Sequence, residues 1–487
     1  MIDYNEILKK GTKMLQKYFG DKQFWRVTMR LAFPIALQNL LTSSFMLVDT
    51  LMVGQLGDTT LASVGMAGQL SFMLNMVLFG LCSGASVFAS QYWGNGDKKG
   101  IRRVLGITLI FSLFLSVCFM LFGIFLGKPL MYIFNKDNEV ISIGRAYLSI
   151  AAFSYPAVAI SFIFNTFLRS TEKVHLPMYV SIVTTVLNAI LNYGFIFGKF
   201  GLPLMGVRGA ALATCISAWC GVFLIFFISL IEKNILIAPL NQLFGFSKAD
   251  IAQYFKKAAP VLFNESFWGF GTFIYNVIFS NLGYEYYAAV TILRTFENIA
   301  FVFFVGLCSA CGIMIGKSVG CGNIKRAVED SKRFAVIVPL FALIIGWIII
   351  IFRAPLISLF NFQNNITDLT IKTAMGIMLI YALEMPIRNI PYIQIVGIFR
   401  SGGDTLSGVK YDLGSLWLLA IPGTFIAAFV LKLPFVAVFA AMYIFEDYLK
   451  TFLCLRHYRT GRWLHPVTEE GKKALALYNA EKIGKFI

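Results

Sequence analysis

The amino-acid sequence predicts an all-α, polytopic membrane protein with twelve transmembrane helices in two six-helix lobes built as a parallel repeat. Three observations lead there. Of 487 residues, 58% are hydrophobic and 14% charged, with a mean hydropathy of +0.73; soluble globular chains sit at about 45–50% apolar and about 25% charged. Apolar runs of membrane-crossing length recur twelve times. The second half repeats the first at a fixed offset.

A spanning helix needs ~20 mostly apolar residues. The runs cover roughly 29–53, 61–90, 104–127, 144–168, 177–198, 206–231, 256–281, 286–316, 334–352, 370–398, 410–430 and 432–454. Several exceed the required length, which predicts tilt or kinks. Pro34, Pro156, Pro260, Pro386 and Pro391 lie inside runs, where a Pro marks either a bend near a pathway or plain packing. The predicted division is an N-terminal segment 1–24, an N-lobe 25–231, a linker 232–255, a C-lobe 256–455 and a basic tail 456–487.

The net charge is +17. In so hydrophobic a chain this reads as Lys and Arg held in cytoplasmic loops, and nucleic acid is not an expected partner. One set of connections carries Lys98, Lys99, Arg102, Arg103, Arg169, Lys173, Lys233, Lys248, Lys256, Lys257, Lys325, Arg326, Lys332, Arg333, Arg400 and Lys410, whereas 55–60 and 282–287 have neither Lys nor Arg. The rich set faces the cytoplasm with Lys9, Lys10, Lys13 and Lys17 and the tail beyond Arg456. Both termini are therefore expected in the cytoplasm, and no cleaved signal peptide is expected. Seven of eight Cys lie in apolar runs, so free thiols are expected rather than a disulfide framework.

A shift of 226 residues aligns the first two spans of each half without gaps. Pro34 meets Pro260; Gly80-Leu81-Cys82-Ser83 meets Gly306-Leu307-Cys308-Ser309; Gly94 and Gly96 meet Gly320 and Gly322. An offset of 231 places Arg169-Ser170 on Arg400-Ser401. Six spans per half give both halves one orientation, a design known among transporters.

An ionised side chain at the bilayer centre costs about 2.5–3.5 kcal/mol on insertion scales, so each one needs a partner or a role. Arg294 with Glu297 and Glu384 with Arg388 have the spacing to pair on one helix face. Glu446, Asp447 and Lys450 read as interfacial. Asp49 and Glu265 have no basic residue three or four positions away, and each is a site for a proton or a Na⁺. Glu265 lies eight residues past Lys257, ~12 Å into a ~30 Å core. Gln38 and Asn39, their repeat counterparts Asn264 and Glu265, and Asn188, Asn192, Thr214 and Asn389 are in-span polar groups. Each is either a ligand for a hard cation or hydrogen-bonding glue between helices.

These residues resemble the multidrug and toxic compound extrusion (MATE) family, most closely its NorM-like bacterial members. The matching stretches are Val48-Asp49-Thr50 with Val53-Gly54 and Leu56-Gly57; the run 80–104 holding Gly80-Leu81-Cys82-Ser83-Gly84 and Gly94-Asn95-Gly96-Asp97; Leu168-Arg169-Ser170-Thr171; Gly206-Val207-Arg208-Gly209; Arg400-Ser401-Gly402-Gly403-Asp404-Thr405; and Arg459-Thr460-Gly461-Arg462-Trp463. Each is short, but together they run in order across residues 25–463. The resemblance implies two lobes facing each other in a V, a multi-pass protein of the cell membrane, and a monomer without cofactor. It implies multidrug efflux by alternating access: antiport of cationic or aromatic compounds against Na⁺ or H⁺. It matches Asp49 to a functional acid of the first helix and Glu265 to one of the seventh. It also matches Asn188, Asn192 and Thr214 to N-lobe polar groups. The chain departs from the pattern at Asn192 and Asn389, where relatives commonly carry Asp.

The competing transport reading is a flippase for a lipid-linked sugar, a related activity that commonly uses an Arg-lined cavity. An enzyme is disfavoured: His is nearly absent and the loops carry no paired-carboxylate motif. No selectivity-filter-like loop interrupts the spans.

Overall fold

The computed structural model describes residues 16, 18–134, 136–358 and 367–484. Lys9, Lys10, Lys13 and Lys17, and most of the expected N-terminal segment, lie outside the described residues. The twelve apolar runs each form a long helix. These are α1 (Lys22–Gly54), α2 (Asp58–Gly94), α3 (Lys98–Phe125), α4 (Asn138–Ser170), α5 (His175–Phe197), α6 (Val207–Ile231), α7 (Lys248–Leu282), α8 (Tyr284–Gly320), α9 (Ile324–Ser358), α10 (Asp368–Gly402), α11 (Thr405–Val430) and α12 (435–460). Ten of them, all but α7 and α12, are long and apolar enough to cross a membrane by length and composition alone. No strand occurs among the described residues. Shorter helices cover Gly127–Phe134, Leu240–Leu243 and Glu469–Gly484.

The expected prolines act differently. Pro34 and Pro260 sit inside continuous helices. Pro156 follows a 3₁₀ turn, Ala152–Ser154, that breaks α4. Pro391 lacks the N–H that an α-turn uses, and two residues later α10 widens into a π segment, Ile393–Phe399, from which the Arg400 N–H reaches back to Ile395 O. Further π segments occur at Ser415–Ala420, Ile426–Val430 and Ile444–Tyr448. Large apolar side chains stand on outer faces, with Leu418 75% and Phe125 74% exposed, as a lipid-facing surface requires.

The described residues form two compact units, one drawn from 1–33, 90–96 and 263–487, the other from 34–89 and 97–262. In the first unit the start of α1 packs on second-half helices: the Phe24 ring lies 5.2 Å from that of Phe334, and Thr28 donates to the Met314 sulfur at 3.6 Å. In the second unit the start of α7 packs on first-half helices. Tyr254 and Phe88, the repeat counterparts of Thr28 and Met314, bring their rings to 6.4 Å, and the Tyr254 hydroxyl donates to Leu81 O. Gly80 and Gly84 of α2 admit α7 closely, since a Cβ there would lie 2.6 Å from Leu262 Cα and 2.4 Å from Ala258 Cα.

Two segments read as loop and tail are built into these units. Residues 232–247 are tied to α3, where Arg102 donates to Ile235 O at 2.9 Å and to Gln242. After α12, Trp463 is buried. His465 N donates to Gly402 O (2.7 Å), Val467 N to Gln91 Oε1 (2.7 Å) and Thr468 Oγ1 to Gly320 O (2.8 Å). Gly403, at φ +96° with the His465 carbonyl 2.1 Å from where a Cβ would stand, leaves room only for glycine.

Candidate functional site

In the first half, α1 carries Asp49 and α5 carries Asn188 and Asn192, one turn apart on one face. Asn192 Nδ2 donates to Asp49 Oδ1 at 2.7 Å and to Asn188 Oδ1 at 2.8 Å. Both asparagines are buried, and Asn188 Nδ2 and Asn192 Oδ1 have no hydrogen-bond partner. A carboxylate and an amide oxygen with spare lone pairs therefore meet within the helix bundle beside a spare amide N–H. The two kinds of oxygen suit a hard cation or a proton, and the N–H suits an acceptor.

The other first-half residues have local duties. Thr214 donates to Ala210 O at 3.0 Å and Asn39 Nδ2 to Ile35 O at 2.9 Å, each satisfied by its own helix. Gln38 is buried and its Oε1 accepts from Arg169 Nη2 at 2.5 Å and Nε at 3.2 Å. Arg169, read as a loop cation, thus turns inward at the end of α4 to a neutral amide.

The second half differs from the sequence reading at its central residue. Glu265 is paired: its Oε1 lies 2.6 Å from Arg400 Nη2, with the side chains 14% and 6% exposed. The sequence places Arg400 in a loop, but it directly follows the π segment of α10 and is buried. The partner is 135 positions away, beyond any same-helix rule. Asn264, buried beside it, donates to Asp412 Oδ2 at 3.0 Å while its own Oδ1 has no partner. Asn389 donates within its helix to Met385 O at 2.8 Å.

The local pairs expected from spacing also form differently. Glu297 pairs across helices with Arg388 at 2.9 Å, Arg294 donates to Asn276 at 2.5 Å, and Glu384 accepts from Tyr448 at 3.1 Å. In each case a residue on a neighbouring helix approaches better than the one on the next turn.

Sequence reasoning missed a third cluster. Lys450 Nζ of α12 lies 3.3 Å from Asp412 Oδ1, 3.2 Å from Glu446 Oε1 and 3.1 Å from Asp447 Oδ1. Tyr275 donates to Glu446 Oε2 at 3.2 Å. Glu446, Asp447 and Lys450 read from the sequence as interfacial but are buried, Glu446 and Asp447 within the π segment Ile444–Tyr448. The signal in the sequence was three charges in five residues inside an otherwise apolar run.

Outside the spans, His457 Nε2 lies 2.8 Å from Asp404 Oδ2, and the Ser407 N–H donates to Asp404 Oδ1. Burial pushes the Asp404 carboxyl up, but these hydrogen bonds outweigh it and hold the group below the usual carboxylate range.

The MatE family model matches residues 34–194 and 260–426. A Thermotoga maritima protein named "Probable multidrug resistance protein NorM" is 26% identical over 447 residues, covering 89% of this chain and 92% of its own. The solved structure of the Vibrio cholerae MATE transporter VcmN in the bent form superposes with a TM-score of 0.80 at 18% identity, covering 91% of this chain and 99% of that one. A Pyrococcus furiosus transporter of the MOP superfamily, described as having a binding pocket of reverse polarity, gives a TM-score of 0.80 at 18% identity, with 92% and 97% covered.

Proposed function

The chain belongs to the MatE family of multi-pass membrane transporters, and from that premise we propose that it is a multidrug efflux antiporter. It exports cationic or aromatic small molecules in exchange for Na⁺ or H⁺ by alternating access, with both termini in the cytoplasm. The observation that carries the reading is the Asp49–Asn192–Asn188 set. Asp49 has no cationic partner among the described residues, and its 2.7 Å bond to Asn192 leaves the adjoining amide atoms unsatisfied. An ion entering there gains a carboxylate and amide ligands, and its departure leaves an uncompensated acid within the spans. Glu265, held by Arg400, is the weaker candidate for that role. The relatives' names support a drug-like cargo.

The test is dye efflux from loaded vesicles under separately imposed Na⁺ and H⁺ gradients, comparing wild type with Asp49→Asn. Efflux driven by one gradient and lost in the variant is expected. Full efflux in Asp49→Asn overturns the site; no efflux under either gradient overturns the exporter.

A further inference from the structure

We propose that the outer face of α12, at its C-terminal end, binds an anionic phospholipid, with the lipid phosphate on Arg456 and Arg459. Burial divides α12 into two faces. Glu446, Asp447, Lys450 and Cys454 are buried, whereas Phe445, Tyr448, Leu449 and Phe452 are exposed, Phe452 at 62%. Continued at helical spacing, the exposed face reaches Arg456 and Arg459, which are exposed as well. Positions 445, 449, 452, 456 and 459 follow one another at intervals of four, three, four and three, so their side chains form one stripe. The stripe is apolar at its first three positions and basic at its last two. From Phe445 to Arg456 is eleven residues, ~16 Å along the helix, about half of a ~30 Å hydrocarbon core. One leaflet has that depth, so an acyl chain can lie along the apolar part while its phosphate sits at the arginines.

Phe452, Leu455, Arg456, Arg459 and Thr460 line a groove of about 450 Å³, within the ~300–1,000 Å³ of small-molecule sites. Apolar and cationic walls meet in it, which is the combination that an amphiphile with a negative headgroup requires. The charge there is unspent. Among the described residues, neither the Arg456 nor the Arg459 guanidinium makes a hydrogen bond or an ion pair, whereas Arg326 and Arg333 both pair with Asp330. A guanidinium offers parallel N–H donors that match phosphate oxygens.

The inner side of the same two turns is held in place. His457 keeps its Nε2 2.8 Å from Asp404 Oδ2, and the Tyr458 hydroxyl lies 2.9 Å from Ser331 Oγ. The outward arginines therefore stand on a fixed backbone and need little ordering on binding. Arg462, exposed just past the Gly461 cap, adds a third cation at this end. With the termini in the cytoplasm the site faces the cytoplasmic leaflet, where anionic lipids concentrate. The binding itself depends neither on that orientation nor on drug export.

The experiment is native mass spectrometry of the full-length protein released from micelles that hold phosphatidylglycerol and phosphatidylcholine in equal amounts. Wild type is expected to retain phosphatidylglycerol in preference. Arg456→Gln/Arg459→Gln should lower that retention about tenfold or more, and Arg353→Gln, at the far end of α9, should leave it unchanged. Equal retention by wild type and the double variant overturns the proposal, as does an equal loss in Arg353→Gln or an equal retention of phosphatidylcholine. Displacement of the bound phosphatidylglycerol by inorganic phosphate overturns the lipid assignment. Should the double variant not fold, Phe452→Glu sets a carboxylate one turn before Arg456 and should lower retention likewise; no change overturns the proposal.

Discussion

Gly94 and Gly320 make the same contact in exchange. A Cβ on Gly94 would lie 2.1 Å from the Lys317 carbonyl oxygen, and one on Gly320 would lie 1.9 Å from that of Gln91. Gly94 is the repeat counterpart of Gly320, and Gln91 of Lys317, so the C-terminal ends of α2 and α8 make one contact in two reciprocal copies. Any side chain at either position forces backbone to move. Gly320→Ala is therefore expected to destabilise the protein by about 1–3 kcal/mol, and Gly94→Ala similarly. Gly65→Ala, with nothing within 4 Å of the new methyl, should be near neutral. Thermal unfolding in detergent measures all three.

The bond from Asn192 to Asp49 is a side-chain hydrogen bond inside the helix bundle, and leaving such a buried acceptor without its donor costs about 1–3 kcal/mol. Asn192→Leu should lower efflux by about tenfold or more, which 1.4 kcal/mol corresponds to, with expression preserved. Thr214→Val, whose hydroxyl bonds only its own helix, should leave efflux within about twofold, since exposed or locally satisfied positions shift stability by about 0.5 kcal/mol. Vesicle efflux assays read both.

The Glu265–Arg400 pair predicts non-additivity. Removing one partner of a buried ion pair costs about 3–5 kcal/mol because the other is left uncompensated. Arg400→Met should therefore destabilise strongly, and adding Glu265→Leu should recover much of the loss. A double-mutant cycle from denaturant melts checks this; simple additivity would show that the pair does not couple.

Asp404 predicts an acid transition. Its folded pKa is depressed, so its stabilising contribution is present above the unfolded value of about 3.9 and is lost as pH falls through the lower folded value. Hydrogen exchange in residues 461–468 should rise below about pH 4 and be already raised at neutral pH in Asp404→Asn.

The spans were legible because a bilayer imposes one length and one composition on every helix that crosses it. The 226-residue repeat was legible because Pro and Gly cannot drift as Leu and Val do. The ionic pattern was less so. Asp49 was recognised as lacking a nearby cation, but Glu265 was read the same way, since spacing rules see only one helix and Arg400 arrives from another. The Lys450 cluster stayed hidden because Glu446 and Asp447 lie in a π turn, whose wider ladder no periodicity in these residues announces. The tail after Arg456 reads as basic and cytoplasmic, and its anchors, backbone groups of Val467 and His465, are of a kind that composition cannot reveal.

The crossed packing of α1 and α7 bears on folding. Thr28 of the first half seats on Met314 of the second, and its counterpart Tyr254 of the second seats on Phe88 of the first. Two chains that trade their opening arms form a domain-swapped dimer, and this single chain has that pattern in covalent form. Neither half is then a self-sufficient folding unit: cut at the 232–247 connection, each piece holds an arm whose berth lies on the other.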